Sequence, residues 1–177
     1  MRPPEPADAA GLVRLYSDPD LIRNSLLTPD PPPDEIQIAE QLGALPRMLL
    51  HVFVAIFRGG LCGEVQLVPG RSRTARGAQI TLLVPPPGSP LAEKLGFPAP
   101  AVARALLEAA LDLADRWLLL EQLRLDAYPD EDWLFPVLRR LGFAVEARYR
   151  MAAVRDGCHE DRLVWGRPRP SAPAAPF

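Results

Sequence analysis

Residues 102–143, VARALLEAALDLADRWLLLEQLRLDAYPDEDWLFPVLRRLGF, decide the architecture. Over 102–119, Arg104, Glu108, Asp112, Asp115 and Arg116 fall on one narrow stripe, and the rest is Ala, Leu, Val or Trp117. That spacing predicts a helix over 101–119 buried on most of its circumference, as when a helix covers a sheet. Arg104–Glu108 and Asp112–Arg116 are i,i+4 pairs for its solvent side. Gln122 to Ala127 then alternates, with Leu123, Leu125 and Ala127 on one face, which predicts a strand. Tyr128-Pro129-Asp130-Glu131-Asp132 reads as a turn opening a short helix to Leu141, with Pro136 confined to its first turn. Gly142 is a natural residue to end that helix after Arg139-Arg140, whose charges suit a helix C-terminus.

Working outward, 1–46 reads as a strand stub followed by helices. Asp8 is placed as an N-cap before Leu12, Val13, Leu15 and Tyr16 at helical spacing. Ser17-Asp18-Pro19-Asp20 punctuates, Leu21, Ile22 and Leu26 form a second apolar segment, and Pro29 to Asp34 is a stiff connector. Asp34 caps a helix through Ile36, Ile38 and Leu42 that ends near Gly43. A hairpin is expected from Leu49–Phe57, the turn Arg58-Gly59-Gly60, and Leu61–Val68, with Gly63 marking a close approach or a bulge. The arginine-bearing connector 69–77 is a solvated tip. Ala78–Val84 is a third strand, expected to be buried on both faces, and Pro85-Pro86-Pro87 ends it. Phe143–Val154 and His159–Trp165 close the chain as a hairpin around Asp156-Gly157. Residues 1–167 are read as one domain and 168–177 as a Pro/Ala-rich disordered tail.

The chain has 177 residues, 48% of them hydrophobic, and a formal charge of −2. These values suit one packed domain and give no field that attracts nucleic acid or a membrane surface. No long apolar run or signal segment is present, and Cys62 and Cys158 lie far apart, so a cytoplasmic protein with two reduced thiols is expected. His51 and His159 share no metal-ligand spacing, and no metal is expected. Trp117, Trp133 and Trp165 are read as core fillers.

The order of elements, taken with particular residues, resembles the GCN5-related N-acetyltransferase superfamily, in its amino-acid and ribosomal-protein acetyltransferase-like branch. The residues are Arg2-Pro3-Pro4-Glu5-Pro6-Ala7-Asp8, Asp18-Pro19, Ala105-Leu106-Leu107 with Leu111 to Leu118, Leu123-Arg124-Leu125, Arg140-Leu141-Gly142-Phe143 and Arg155-Asp156-Gly157. The resemblance spans about residues 1–167. It implies an α/β (α+β) fold with a mixed, mostly antiparallel central sheet and helices on both faces. It also implies acetyl-CoA-dependent N-acetyl transfer to an amine on a small molecule or a protein N-terminus.

In that family acetyl-CoA lies in a splay between two parallel strands, its diphosphate held by glycine-rich amides that open the long helix. The matching positions are Leu83 and Val84 at the strand end and Ala101, Val102, Ala103 and Arg104 at the helix start. Here the glycines are alanines, and Pro98 and Pro100 have no N–H to offer. The family's strand glutamate falls on Gln79, which cannot take a proton; its asparagine falls on Glu131 and its tyrosine acid on Leu138. Glu64 on the neighbouring strand is the candidate substitute base, although an outward strand glutamate is its ordinary reading. Gly88-Ser89 with Lys94 is a further candidate phosphate site. Impaired activity is expected, with a non-catalytic binding, regulatory or scaffold protein as the alternative. A homodimer through the terminal hairpin is compatible with either.

Overall fold

The computed structural model describes residues 1–24, 33–44, 50–70, 76–155 and 157–169. The expectations for Leu26, for most of the proline connector, for Leu49, for the arginine-bearing tip and for Asp156 fall outside them. So does the tail from 170. Pro168 pairs with Gln122, and the Arg169 N–H donates to Glu121 O at 2.8 Å.

The strand stub is a single antiparallel bridge, Arg2 to Val54. Helices α1 (Ala9–Tyr16), α2 (Pro19–Asn24) and α3 (Glu35–Ala44) follow. Strands β1 (His51–Phe57), β2 (Gly60–Pro69) and β3 (Gly77–Leu83) form the meander. Then come α4 (Pro90–Leu95), α5 (Ala99–Asp112), β4 (Gln122–Ala127), α6 (Phe135–Arg140), β5 (Ala144–Arg155) and β6 (Cys158–Pro168). The sheet order is β1-β2-β3-β4-β6-β5, and every pair is antiparallel except β3–β4. The expected fold class is the observed one.

Two apolar clusters cover the two faces. On one, α5 buries Val102, Ala103, Leu106, Leu107, Ala110 and Leu111 against β2, β3 and β4. On the other, Leu12 and Leu15 of α1, Leu21 of α2 and Ile38 of α3 pack on Val54, Leu61 and Leu83. Gly63 marks a close approach: a Cβ there would lie 3.0 Å from both Leu106 Cδ1 of α5 and Val84 Cγ2. The bulge sits beside it. Ala55 pairs with Gly63 and Ile56 with Leu61, so Cys62 is the extra residue.

Several expectations need correction. Asp8 stands at the N-cap of α1 but caps nothing there. Its carboxylate instead takes two bonds from Arg2, at 2.7 and 2.8 Å, and one from the Glu5 N–H. The long helix starts at Ala99 and ends at Asp112, where a π-helical turn, Leu113–Trp117, takes over. That turn leaves Trp117 76% exposed, whereas Trp165 is 1% exposed and fills the core as expected. Strand β3 is not buried on both faces: Ala78 and Ile80 are buried, but Gln79 is exposed. Helix α4 was not anticipated, because six residues are too few to show a period. Ser89 Oγ accepts from Ala92 N at its start, and Gly96 (φ +64°) ends it in the left-handed conformation. Ser89 Oγ is thereby engaged at the helix start and buried, and Lys94 lies in the last turn, so the Gly88-Ser89-Lys94 expectation gains no support from the fold.

Candidate active site

The parallel β3–β4 pairing runs only from Gly77–Gln122 to Ile80–Leu125. Beyond it each strand stays bound to its outer neighbour. Leu83 still pairs with Glu64 of β2, and Ala127 with Leu163 of β6. The two strands therefore part while each remains braced, which opens a cleft at the C-terminal ends of the parallel pair. The cleft holds about 20 Å³ of free volume and is lined by Leu82, Leu83, Val84, Glu131, Trp133 and Leu21, among others. Leu83 and Val84, expected at a cofactor site, are thus at the splay.

Ala101, Val102, Ala103 and Arg104 lie in the first turns of α5. The Ala101 and Val102 N–H groups both donate to Pro98 O, at 2.9 and 3.1 Å. Pro98 and Pro100 carry no donor. Of the first-turn backbone nitrogens, Ala99 alone keeps an N–H outside these bonds. Val102 and Ala103 are buried in the core, and the exposed Arg104 faces Glu108 at 3.8 Å. The splay is a narrow, largely apolar cleft with one carboxylate, Glu131, in its lining. The helix start offers a diphosphate far less than a glycine-rich loop would.

Glu64 is not an outward strand residue: it is 1% exposed. It accepts from Tyr16 Oη at 2.6 Å and from Gln66 Nε2 at 2.5 Å. Burial pushes its pKa up, against the pull of those two donors. Its cross-strand partners are Val54 and Leu83, so its backbone lies one strand spacing, about 5 Å, from the last residue of β3. Over it lies a cavity of about 110 Å³ walled by Leu12, Ile38, Leu42, Leu50 and Val52, with Glu64, Gln66 and Tyr16 at its polar end.

Gln79 is exposed and does not line the cleft at the splay, although it precedes the last β3–β4 pair by one residue. It lines a separate cavity of about 600 Å³ at the opposite end of the β3–β4 pair, with Arg76, Glu121 and Arg124. Leu138 is fully buried, so α6 presents no acid at that position. Glu131 does reach the cleft, a role that residue matching alone treats as a loss. Its carboxylate accepts from Tyr128 N at 2.7 Å, and burial pushes its pKa up to about 7. The next turn is braced from behind. Arg155, 5% exposed, pairs with Asp130 through two 2.9 Å bonds and with Glu160, and lies 4.2 Å over the Tyr128 ring.

The raised Glu131 pKa has a stability consequence. An unfolded glutamate releases its proton near 4.5, whereas the folded one holds it to about 7. Between those values the native state binds the extra proton, so stability falls as pH rises through the window. Glu131→Gln keeps an acceptor for Tyr128 N and removes the titration. The variant is expected to gain on wild type across the window, by about 2 kcal/mol at pH 8, discounted for partial exposure. Urea melts at pH 4.5 and 8 check this, and an unchanged difference between the two proteins would refute it.

A mostly antiparallel six-stranded sheet, one parallel pair that splays, a long helix on one face and α1–α3 on the other define the GCN5-related N-acetyltransferase fold. The chain has that fold. No family model matches its sequence. It is 23% identical over 168 residues to the L-amino acid N-acetyltransferase AaaT of Escherichia coli (strain K12), covering 94% of this chain and 96% of that protein. Among solved structures it superposes on a ribosomal-protein-alanine N-acetyltransferase from Brucella melitensis (TM-score 0.74, 18% identity, 94% of this chain and 98% of that one). It also superposes on the spermidine N-acetyltransferase from Vibrio cholerae in complex with CoA and spermine (TM-score 0.73, 17% identity, 95% and 94%). Among the described residues no helix is long and apolar enough to cross a membrane, and no group of three His, Cys, Asp or Glu could hold a metal ion.

Proposed function

We propose that the chain is an N-acetyltransferase that takes an acetyl group from acetyl-CoA and passes it to an amine, with a weakened hold on the diphosphate. The observation that carries this reading is the β3–β4 splay with the buried Glu64 one strand away. Acetyl-CoA supplies the acyl group already activated as a thioester. The protein supplies position: the diverging strands and Leu82–Val84 hold a narrow arm, and Glu64 takes the proton an acceptor ammonium must lose. Its raised pKa makes it a stronger base than an exposed glutamate. Glu131, titrating near neutrality at the cleft, is the group placed to return a proton to the departing thiolate.

A second reading is a non-catalytic relative. It is favoured by one observation, the two prolines and the two engaged amides at the start of α5. The readings part on acetyl-CoA binding. A ligand that binds only the folded state raises its melting temperature by mass action. Millimolar acetyl-CoA is expected to raise the melting temperature of wild type. Pro100→Ala restores one donor and should tighten binding by roughly 2- to 10-fold, the worth of one hydrogen bond. No shift for either protein would exclude the enzyme.

A further inference from the structure

The cavity over Glu64 selects an acceptor as well as a base. We propose that it binds a small aliphatic monoamine, its ammonium on Glu64 and its alkyl group among Leu12, Ile38, Leu42 and Val52. This assignment rests on the acetyl-transfer reading above for its purpose, but not for its evidence.

Three features carry it. The polar end has room for another partner: each Glu64 oxygen accepts one bond, from Tyr16 or Gln66, and a carboxylate can accept about four. Tyr16 and Gln66 fix the carboxylate where an ammonium meets it without reorganisation. The size is sufficient. About 110 Å³ is close to four water-sized volumes, enough for a short branched alkyl chain. The charge content is selective. The lining comprises Leu12, Tyr16, Ile38, Gln41, Leu42, Leu50, Val52, Glu64 and Gln66, and among these described residues Glu64 is the one charged group.

That last point separates three kinds of amine. A free amino acid would bring a carboxylate beside Glu64, with no cation among the described lining residues to meet it. A polyamine would bury a second ammonium among leucines, with no second carboxylate among those residues. A monoamine leaves nothing unpaired.

Calorimetric titration without acetyl-CoA tests the assignment, with isobutylamine, L-leucine and spermidine as probes. Isobutylamine is expected to bind wild type at least tenfold more tightly than either of the others. Glu64→Gln keeps the shape and removes the charge, and should weaken isobutylamine at least tenfold. Leu42→Trp closes the apolar wall, leaves Glu64 in place, and should weaken it as much. Unchanged binding in either variant would overturn the assignment, as would equal or tighter binding of L-leucine or spermidine, or no heat with isobutylamine. Amine binding that persists where no acetyl transfer occurs upholds the pocket and overturns the transfer reading alone. Transfer to spermidine without isobutylamine binding does the reverse.

Discussion

Glu64→Gln is expected to lower kcat/KM for acetyl transfer by about 10²- to 10⁴-fold, the usual worth of a positioned general base. The substitution preserves volume and lets the side-chain carbonyl accept from Tyr16 or Gln66, so the fold is expected to survive it. Among the described residues lining the cavity, it removes the one carboxylate. The pH profile distinguishes this role from simple packing. Wild type should gain activity as Glu64 ionises, at a pH above that of an ordinary glutamate because burial raises its pKa. The acidic limb assigned to Glu64 should vanish in the variant. Full activity with an unchanged limb would remove Glu64 from the chemistry.

Arg155→Met is expected to cost about 2–3 kcal/mol of stability. Breaking a buried ion pair by removing one partner costs roughly 3–5 kcal/mol. The lower figure applies because the partners left behind are half open, with Asp130 47% and Glu160 25% exposed. Methionine keeps much of the apolar stem but neither the two-pronged pairing nor the cation over Tyr128. For a domain of this length the loss corresponds to a melting temperature lower by roughly 4–12 °C. Arg148→Met is the comparison: that arginine is 63% exposed and pairs with Asp161 at the surface, so its loss should be under about 1 kcal/mol. Equal effects would show that the brace behind the Tyr128–Asp132 turn carries no special weight.

Much of the fold was legible because its elements carry strong local patterns. The stripe on α5, the alternation of Leu123, Leu125 and Ala127, and the left-handed Gly142 (φ +85°) each specify themselves. What was not legible depends on relations between elements. The splay is a point where the β3–β4 register stops, and neither strand's own sequence encodes it. Strand β2 is covered on both faces, so alternation could not say where Glu64 points. The bulge at Cys62 also resets the phase, putting Leu61 and Glu64 on the same face. The alanines and prolines at the start of α5 were readable as a loss of donors. That Ala101 and Val102 spend theirs on Pro98 O required the backbone. Glu131 looked like a missing asparagine, because the pKa of a carboxylate depends on surroundings that a motif does not describe.

The most direct measurement is the release of free CoA thiol when wild-type protein, millimolar acetyl-CoA and a panel of primary amines are mixed. Amine-dependent release above the hydrolysis background is expected, accompanied by the N-acetylated amine in the mass spectrum and lost in Glu64→Gln. No amine-dependent release with any primary amine at saturating acetyl-CoA would contradict it.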